Sequence, residues 1–343
     1  MSLGTADQEF FLGLDTSCYT TSVGIVDAQG MVVNDLRRIL RVKSGERGLR
    51  QSEALFQHVN NIPELLAEAA QAHGGGLTFK AVGYSDRPRP QEESYLPVFL
   101  AGANFGKALA LSPGTAAYPF THQEGHIRAA LVGADPRFTL ENRQFLGFHL
   151  SGGTTEVLLV EKARHGGYHI ELLGGTTDLH AGQMIDRLGV AMGLPFPAGP
   201  HLEKLANKSL LRARVRARGK EADTTLPDQL QISVKGMSLS LSGPTSAAFR
   251  RLEAGAHPPD LAWAVQDCLL RSVSALLRNA VRISSCRQVV FFGGVASNSY
   301  LRKGLISSFP QLELCFARPG LSTDNGVGIA LLAWEYWRDT NAG

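Results

Sequence analysis

The sequence predicts an α/β protein of two lobes, each built on a mixed sheet and laid out on the same plan. Three observations predict this. The chain has 343 residues, more than a single hydrophobic core usually serves. An apolar run, a loop rich in Ser and Thr, with Gly in the second copy, and a second apolar run occur over residues 10–27 and again over 145–160, as a duplicated unit would show. Short apolar runs of strand length alternate with segments of helical period along the whole chain.

In order, residues 10–27 read as a β-hairpin with a polar loop inside its first half, followed by a turn at Gln29-Gly30 and an apolar stretch at 31–33. Residues 52–73 carry Leu55, Val59, Ile62, Leu65 and Leu66 at helical spacing. That helix ends at Gly74-Gly75-Gly76 and bends near Pro63. A buried strand over 79–84, a helix over 101–111 and a short strand over 116–119 follow. The second copy begins with the apolar runs 145–150 and 157–160 around Ser151-Gly152-Gly153-Thr154-Thr155. A strand at 168–173, a helix from 261 to about 282, a strand at 289–292 and a helix starting near Ser297 complete it. Arg212, Arg214, Arg216 and Arg218 alternate with Ala and Val, which reads as a strand with four guanidinium groups on one face. Such a face lines a phosphate backbone or simply protects a solvated edge. The lobes are expected at 9–137 with 326–343, and at 138–325, closing on a cleft.

Composition excludes several classes. Apolar residues at 44% and charged residues at 19% are ordinary for a soluble globular chain and rule out a disordered one. No apolar run is long enough for a bilayer and no signal sequence opens the chain, so a cytoplasmic protein is expected. Cys18, Cys268, Cys286 and Cys315 are too scattered for a disulfide framework and read as reduced thiols. The net charge of +3 is compatible with nucleic acid as a partner and equally with a metabolic enzyme.

Chemistry is concentrated in four places. Both Ser/Thr/Gly loops can offer backbone N–H groups and hydroxyls to phosphate. Asp15 in the first loop would repel a phosphate, so it holds a metal-bound water or structures the loop. Gly293-Gly294 ends a strand before a helix, where a flat base can lie against the backbone and Asn298 can bond a ribose or base; the same pattern fits a tight turn with Ser297 or Asn298 as N-cap. His122 and His126 stand at i and i+4, one face of a helix and a geometry suited to a divalent transition metal. The intervening Glu124 is displaced by one from the H-E-x-x-H position, so protease chemistry is not supported. The pair alone equally describes two surface histidines, and Asp324 in Thr323-Asp324-Asn325-Gly326 is the candidate third ligand.

These segments, taken together, resemble the TsaD family, transferases that place a threonylcarbamoyl group on the adenosine beside the anticodon of certain tRNAs. The resemblance runs from about Phe11 to Trp334. It rests on Leu12-Gly13-Leu14-Asp15-Thr16-Ser17-Cys18, on residues 122–126, on Leu150-Ser151-Gly152-Gly153-Thr154-Thr155 and on Ala181-Gly182-Gln183-Met184-Ile185-Asp186. It continues through Pro197-Ala198-Gly199-Pro200, Ser240-Leu241-Ser242-Gly243, Gly293-Gly294-Val295-Ala296-Ser297-Asn298, and Ala317-Arg318-Pro319 with 323–326.

The resemblance implies the actin and sugar-kinase (ASKHA) fold and one divalent metal, iron or zinc, on His122, His126 and Asp324. It implies an adenine nucleotide (ATP, AMP or threonylcarbamoyl-AMP) at His149, Leu150, Ser151, Gly152, Gly153, Asp186, Gly199, Gly294 and Asn298. Asp15, Asp186 and Asn298 are the expected catalytic residues. Expected partners are the adenylate, tRNA and the subunits of a tRNA-modification complex. The chain reads as a divergent paralogue. Tyr19-Thr20 stand where the family usually has Asp-Glu, Thr154 where it has His, and Ser238 where it has Asp. Residues 85–94 form a longer, charged, Pro-stiffened loop. Two alternatives follow, a carbamoyltransferase of the same chemistry with a small-molecule acceptor and a non-catalytic nucleotide-binding partner subunit. Retention of three metal ligands argues against the second.

Overall fold

The computed structural model describes residues 9–17, 19–42, 49–90, 94, 96–134, 144–164, 166–218 and 227–341, of which 210–218 by backbone alone. In chain order the strands and helices are β1 (Phe10–Asp15), β2 (Thr20–Asp27), β3 (Val32–Ile39), α1 (Gln51–Ala72), β4 (Phe79–Arg87), α2 (Phe99–Leu109), β5 (Ala116–Thr121) and α3 (His122–Ala130). There follow β6 (Gln144–Leu150), β7 (Thr155–Lys162), β8 (Tyr168–Thr176), α4 (Ala181–Ala191), α5 (Gly199–Arg218), β9 (Ser233–Lys235), β10 (Ser238–Ser240) and α6 (Ser242–Glu253). The chain closes with α7 (Pro258–Ser284), β11 (Gln288–Phe292), α8 (Ser299–Ser308), β12 (Glu313–Phe316) and α9 (Val327–Asn341).

Contacts divide the chain into two units. One comprises Met1–Val132, Glu161–His169 and Gly320–Gly343, the other Gly133–Val160 and Ile170–Pro319. Asp324 thus belongs with the first unit, whereas the sequence expectation carried the second lobe to residue 325.

The first unit has a sheet in the order β3-β2-β1-β4-β5. β1, β2 and β3 are antiparallel, and β4 and β5 run parallel to β1. Residues 10–27 are therefore two strands of a three-stranded meander, with the polar loop between strands. Side chains alternate across β1. Phe10, Leu12 and Leu14 join Val23, Ile25, Ile62, Leu65 and Val82 in a core beneath α1 and α2. On the opposite face Phe11 meets Trp337 edge-on, with ring centroids 5.4 Å apart, and Gly13 lies against Ala330 of α9. Covered on both faces, β1 needs no polar alternation, which is why it reads as one apolar run. α1 continues through Pro63.

Glycine sets how closely the site-bearing elements pack. A Cβ on Gly13 or Gly24 would collide with the backbone of Gly326, and one on Gly328 would collide with the Gly125 carbonyl of α3. The missing side chains let β1, β2, α3 and α9 meet backbone to backbone.

The second unit has a sheet in the order β12-β11-β6-β7-β8-β10-β9. Its stretch β8-β7-β6-β11-β12 repeats β3-β2-β1-β4-β5, with β10 and β9 added at one edge. The repeated plan expected from the two loops is thus a repeated sheet topology. Its core joins Leu146, Phe148, Met184, Leu188, Trp263, Leu277 and Phe291.

The segment holding Arg212, Arg214, Arg216 and Arg218 ends α5 and is not a strand. Leu202 and Ala206 begin that helix in the core, and the helix carries on past them. At about 100° per residue, alternate positions do not share a helical face. Cys268, Cys286 and Cys315 are buried and in no disulfide, and Cys18 lies outside the described residues. No helix among the described residues is long and apolar enough to cross a membrane.

Gly328→Ala should destabilise the protein by about 1–3 kcal/mol, despite a helix-propensity gain, because its methyl group meets backbone that cannot turn aside. Gly294→Ala, where a Cβ meets nothing within 4 Å, should stay within about 0.5 kcal/mol of the parent. Urea denaturation of the two variants measures the contrast, and equal midpoints would refute the packing account.

Candidate functional site

In the first unit Thr121 caps α3 through a capping box. Its hydroxyl accepts from the Glu124 amide at 3.2 Å, and the Glu124 carboxylate accepts from the Thr121 amide at 2.7 Å. The other Glu124 oxygen accepts from the Tyr168 amide at 3.0 Å. Both oxygens are engaged in structure, so Glu124 does not serve as the base of a zinc protease.

The cap starts the helix at His122, which puts His122 and His126 one turn apart on one face, with ring centroids at 4.3 Å. Asp324 comes from the turn before α9. The Asn325 amide group donates to the Thr323 carbonyl at 2.8 Å and its oxygen accepts from the Gly328 amide at 3.0 Å, which fixes that turn on the helix N-terminus.

The crossing of α3 and α9 brings the three together. Asp324 Oδ1 is 3.6 Å from His122 Nε2 and 3.4 Å from His126 Nε2, and one ligand atom from each residue lies within 4.8 Å of the others. Two donors each bound to one tetrahedral ion at N/O distances sit about 3.4 Å apart. Two imidazoles and a carboxylate at these separations fit a divalent transition metal with open coordination positions.

Asp15 supports this cluster from below. It is fully buried, and its Oδ2 accepts from His122 Nδ1 at 3.1 Å and from Ser17 Oγ at 2.8 Å, while Oδ1 accepts from Ser85 Oγ. Burial would raise its pKa. The adjacent His122 charge and the hydrogen bonds from His122, Ser85 and Ser17 outweigh burial and bring it down to about 2. For His122, burial lowers the pKa, and the charge and hydrogen bond of Asp15 with the charge of Asp324 reverse that, raising it to about 9. His126 is shifted down, by burial and by the neighbouring His122. An Nδ1–H held by Asp15 leaves Nε2 of His122 as the ligand atom, facing Asp324.

In the second unit the loop between β6 and β7 closes through the Ser151 amide on the Thr154 carbonyl at 2.8 Å. It rests on the start of α4, where Gly182 donates to the Ser151 carbonyl at 3.0 Å and Ala181 donates to Thr155 Oγ1 at 2.9 Å. Gly152 and Gly153 are exposed, and a Cβ on either, on Gly199 or on Gly294 would meet nothing within 4 Å. Gly293 differs. Its φ of +92° and its contact with the Leu150 carbonyl admit only glycine.

His149 packs on Phe292 at 4.8 Å between ring centroids, and the Leu150 side chain lies in the core, so Leu150 can meet a ligand only through its backbone. Asp186 Oδ1 accepts from the Ala198 amide at 2.7 Å and so fixes the loop before Gly199. Asn298 is the N-cap of α8, accepting from the Leu301 amide at 2.9 Å, with Nδ2 3.5 Å from Gln266 Oε1. The 150–154 loop, the start of α4, residues 198–199 and residues 293–298 are thus joined at the C-terminal ends of β6 and β11, where open α/β sheets place ligands.

Sequence reasoning passed over Asp178. It accepts from the Ser240 hydroxyl at 2.6 Å, the Ser242 hydroxyl at 2.5 Å and the Leu241 amide at 2.9 Å. Although burial opposes it, these bonds hold its pKa well below the ordinary value. They anchor the Ser240-Leu241-Ser242-Gly243 segment at the start of α6. Nothing in its own Thr-Thr-Asp context distinguishes it from an ordinary turn acid.

Residues 43–331 match the model of the family described as TsaD, tRNA N6-adenosine threonylcarbamoyltransferase. The chain is similar to the tRNA N6-adenosine threonylcarbamoyltransferase of Thermus thermophilus, with 32% identity over 325 residues, 94% of this chain and 92% of that one. Two solved structures share its fold. One is the activator of 2-hydroxyisocaproyl-CoA dehydratase from Clostridium difficile with bound ADPNP, at TM-score 0.52 and 14% identity over 97% of each chain. The other is component A of (R)-2-hydroxyglutaryl-CoA dehydratase from Acidaminococcus fermentans, at TM-score 0.54 and 15% identity over 97% of this chain and 99% of that one. The chain thus has the α/β fold of these proteins, built here on two mixed sheets.

In the metal-free protein His122 carries a proton below about pH 9, and a metal takes Nε2 only by displacing it. Metal affinity should therefore rise with pH and level off above about 9. Calorimetry at pH 7.5 in buffers of different ionisation enthalpy should report the release of about one proton per ion; zero release would overturn the assignment of His122.

Proposed function

Because the chain belongs to the TsaD family, we propose that it transfers the threonylcarbamoyl group of threonylcarbamoyl-AMP to the N6 amine of a tRNA adenosine. The amine nitrogen forms a bond to the carbamoyl carbon and loses a proton, the bond from that carbon to the phosphate oxygen breaks, and AMP leaves. The observation that carries this reading is the cluster of His122, His126 and Asp324 at ligand separation, backed by buried Asp15.

Iron or zinc held by these three residues would supply Lewis acidity at the carbonyl or phosphate of the adenylate. Asp15 holds the His122 ring in the orientation that presents Nε2, so its role is positioning. In the second unit, the exposed Gly152 and Gly153 leave their amides open to the AMP phosphate. Gly294, where a Cβ would meet nothing within 4 Å, leaves room for adenine, and the Nδ2 of Asn298 would bond the base or ribose. Asp186 holds the Ala198–Gly199 loop that would border the ribose, while His149, Ser151 and the Leu150 backbone frame the phosphate loop. The chain's residues bind and orient; no protein nucleophile is needed, and acceleration comes from positioning and charge stabilisation.

A specific observation favours a second acceptor class. Tyr19, 44% exposed, and Thr20 replace two carboxylates that the family usually carries, which makes the site less negative and suits a small phosphate-bearing acceptor. The family and the relatives' activity favour tRNA. The activity would be cytoplasmic, within a complex of tRNA-modification subunits.

The reading is tested by supplying the purified protein with threonylcarbamoyl-AMP and either tRNA or a metabolite pool. Modified adenosine should form in tRNA, and His126→Ala should lower its rate by about 100-fold. Gly294→Val should fold normally and weaken AMP binding by about tenfold or more, roughly 1.4 kcal/mol. Modification of metabolites alone moves the acceptor to the second class; no transfer to either refutes the proposal.

A further inference from the structure

The row of β-sheet residues that ends at Asp15 reaches the metal cluster a second time. Asp15 pairs in register with Ser22 on β2, and Ser22 pairs with Arg37 on β3. Directly opposed residues in antiparallel strands lie on the same face. The neighbouring row on that face is Gly13, Gly24 and Asp35, and its two glycines admit the first turn of α9. The turn carrying Asp324 therefore lies over the row of Asp15, Ser22 and Arg37.

Arg37 makes use of that placement. Its Nε and Nη2 donate to the two oxygens of Asp35 at 2.8 and 2.6 Å, and its Nη1 donates to Thr323 Oγ1 at 3.0 Å. The bidentate pair fixes the plane of the guanidinium. One remaining arm then holds the residue immediately before Asp324. On the other side Asn325 binds the Thr323 carbonyl and the start of α9.

We propose that Arg37, clamped by Asp35, is a positioning residue that sets the Asp324 carboxylate through Thr323 and so tunes metal affinity at His122, His126 and Asp324. The inference rests on the metal reading given above. One sheet row thereby orients two ligands, His122 through Asp15 and Asp324 through Arg37 and Thr323. Loss of a group that orients a ligand typically costs 10–100-fold in metal affinity.

Cobalt(II) titrated into the metal-free full chain, followed by its visible absorption bands, gives the affinity and the ligand field together. Thr323 is exposed, so its variants test the contact without threatening the fold. Thr323→Val should weaken Co2+ binding about tenfold or more and change the band shape, whereas Thr323→Ser, which keeps the hydroxyl, should stay within about twofold of the parent. Arg37→Met, which keeps the aliphatic stem, should match Thr323→Val. The double variant should be no weaker than either alone, because both remove the same link. Parental affinity and spectrum in Thr323→Val, or additive losses in the double variant, overturn the proposal while leaving the metal site standing. Absence of Co2+ binding in the parent protein, or undiminished binding in His126→Ala, overturns the metal reading and this inference with it.

Discussion

The candidate site depends on a contact made without side chains. α9 lies on β1 and β2 at Gly13, Gly24 and Gly326, and on α3 at Gly125 and Gly328. A Cβ at Gly13, Gly24, Gly326 or Gly328 would meet backbone and push the elements apart. The separation of His122 and His126 from Asp324 is set by that approach, because the histidines ride on α3 and the aspartate on the turn entering α9. A capping box fixes where α3 begins and an Asn325 cap fixes where α9 begins, so the register of both helices is set within a residue of the ligands. Close packing of backbones thus does for this site what a disulfide or a bound ion does in smaller proteins. It holds groups from distant parts of the chain at fixed separations.

The electrostatics follow from the same burial. A carboxylate removed from water is costly unless it is paired and hydrogen-bonded. Asp15 meets the condition with His122, Ser17 and Ser85. The pair it forms explains why two neighbouring imidazoles are driven in opposite directions. His122 gains a buried anion and is raised, whereas His126 faces burial and a neighbouring charge and is lowered. Two histidines alike in sequence thus differ in how readily they give up a proton.

Much of this was legible in the sequence, for physical reasons that differ by element. α1, β4 and β11 announce themselves by apolar period, and the candidate cluster of His122, His126 and Asp324 by an i, i+4 pair with an acid in a turn. α5 was misread because its Arg/Ala/Val alternation imitates a strand, while its leading Leu202 and Ala206, buried in the core, make the segment helical. The N-cap role of Asn298 was written locally and could be foreseen. Partners distant in sequence could not. The hydroxyls that hold Asp178 lie 62 and 64 residues away, Ser85 lies 70 residues from Asp15, and Thr323 lies 286 from Arg37. Periodicity and spacing carry no trace of such pairs; strand pairing and the seating of α9 on the sheet create them.

The repeated strand order has a consequence of a different kind. The stretch β3-β2-β1-β4-β5 and its counterpart β8-β7-β6-β11-β12 share one strand order, and the loop at the same topological place differs in electrical character between them. In the first, the loop begins at a sunken anion that braces an imidazole pair; in the second, it displays bare peptide dipoles on glycine. One strand order thus carries a buried carboxylate beside an imidazole at one place and exposed glycines at the matching place. Side chains at these matching places are therefore not interchangeable, because a buried carboxylate needs partners that an open glycine loop does not supply.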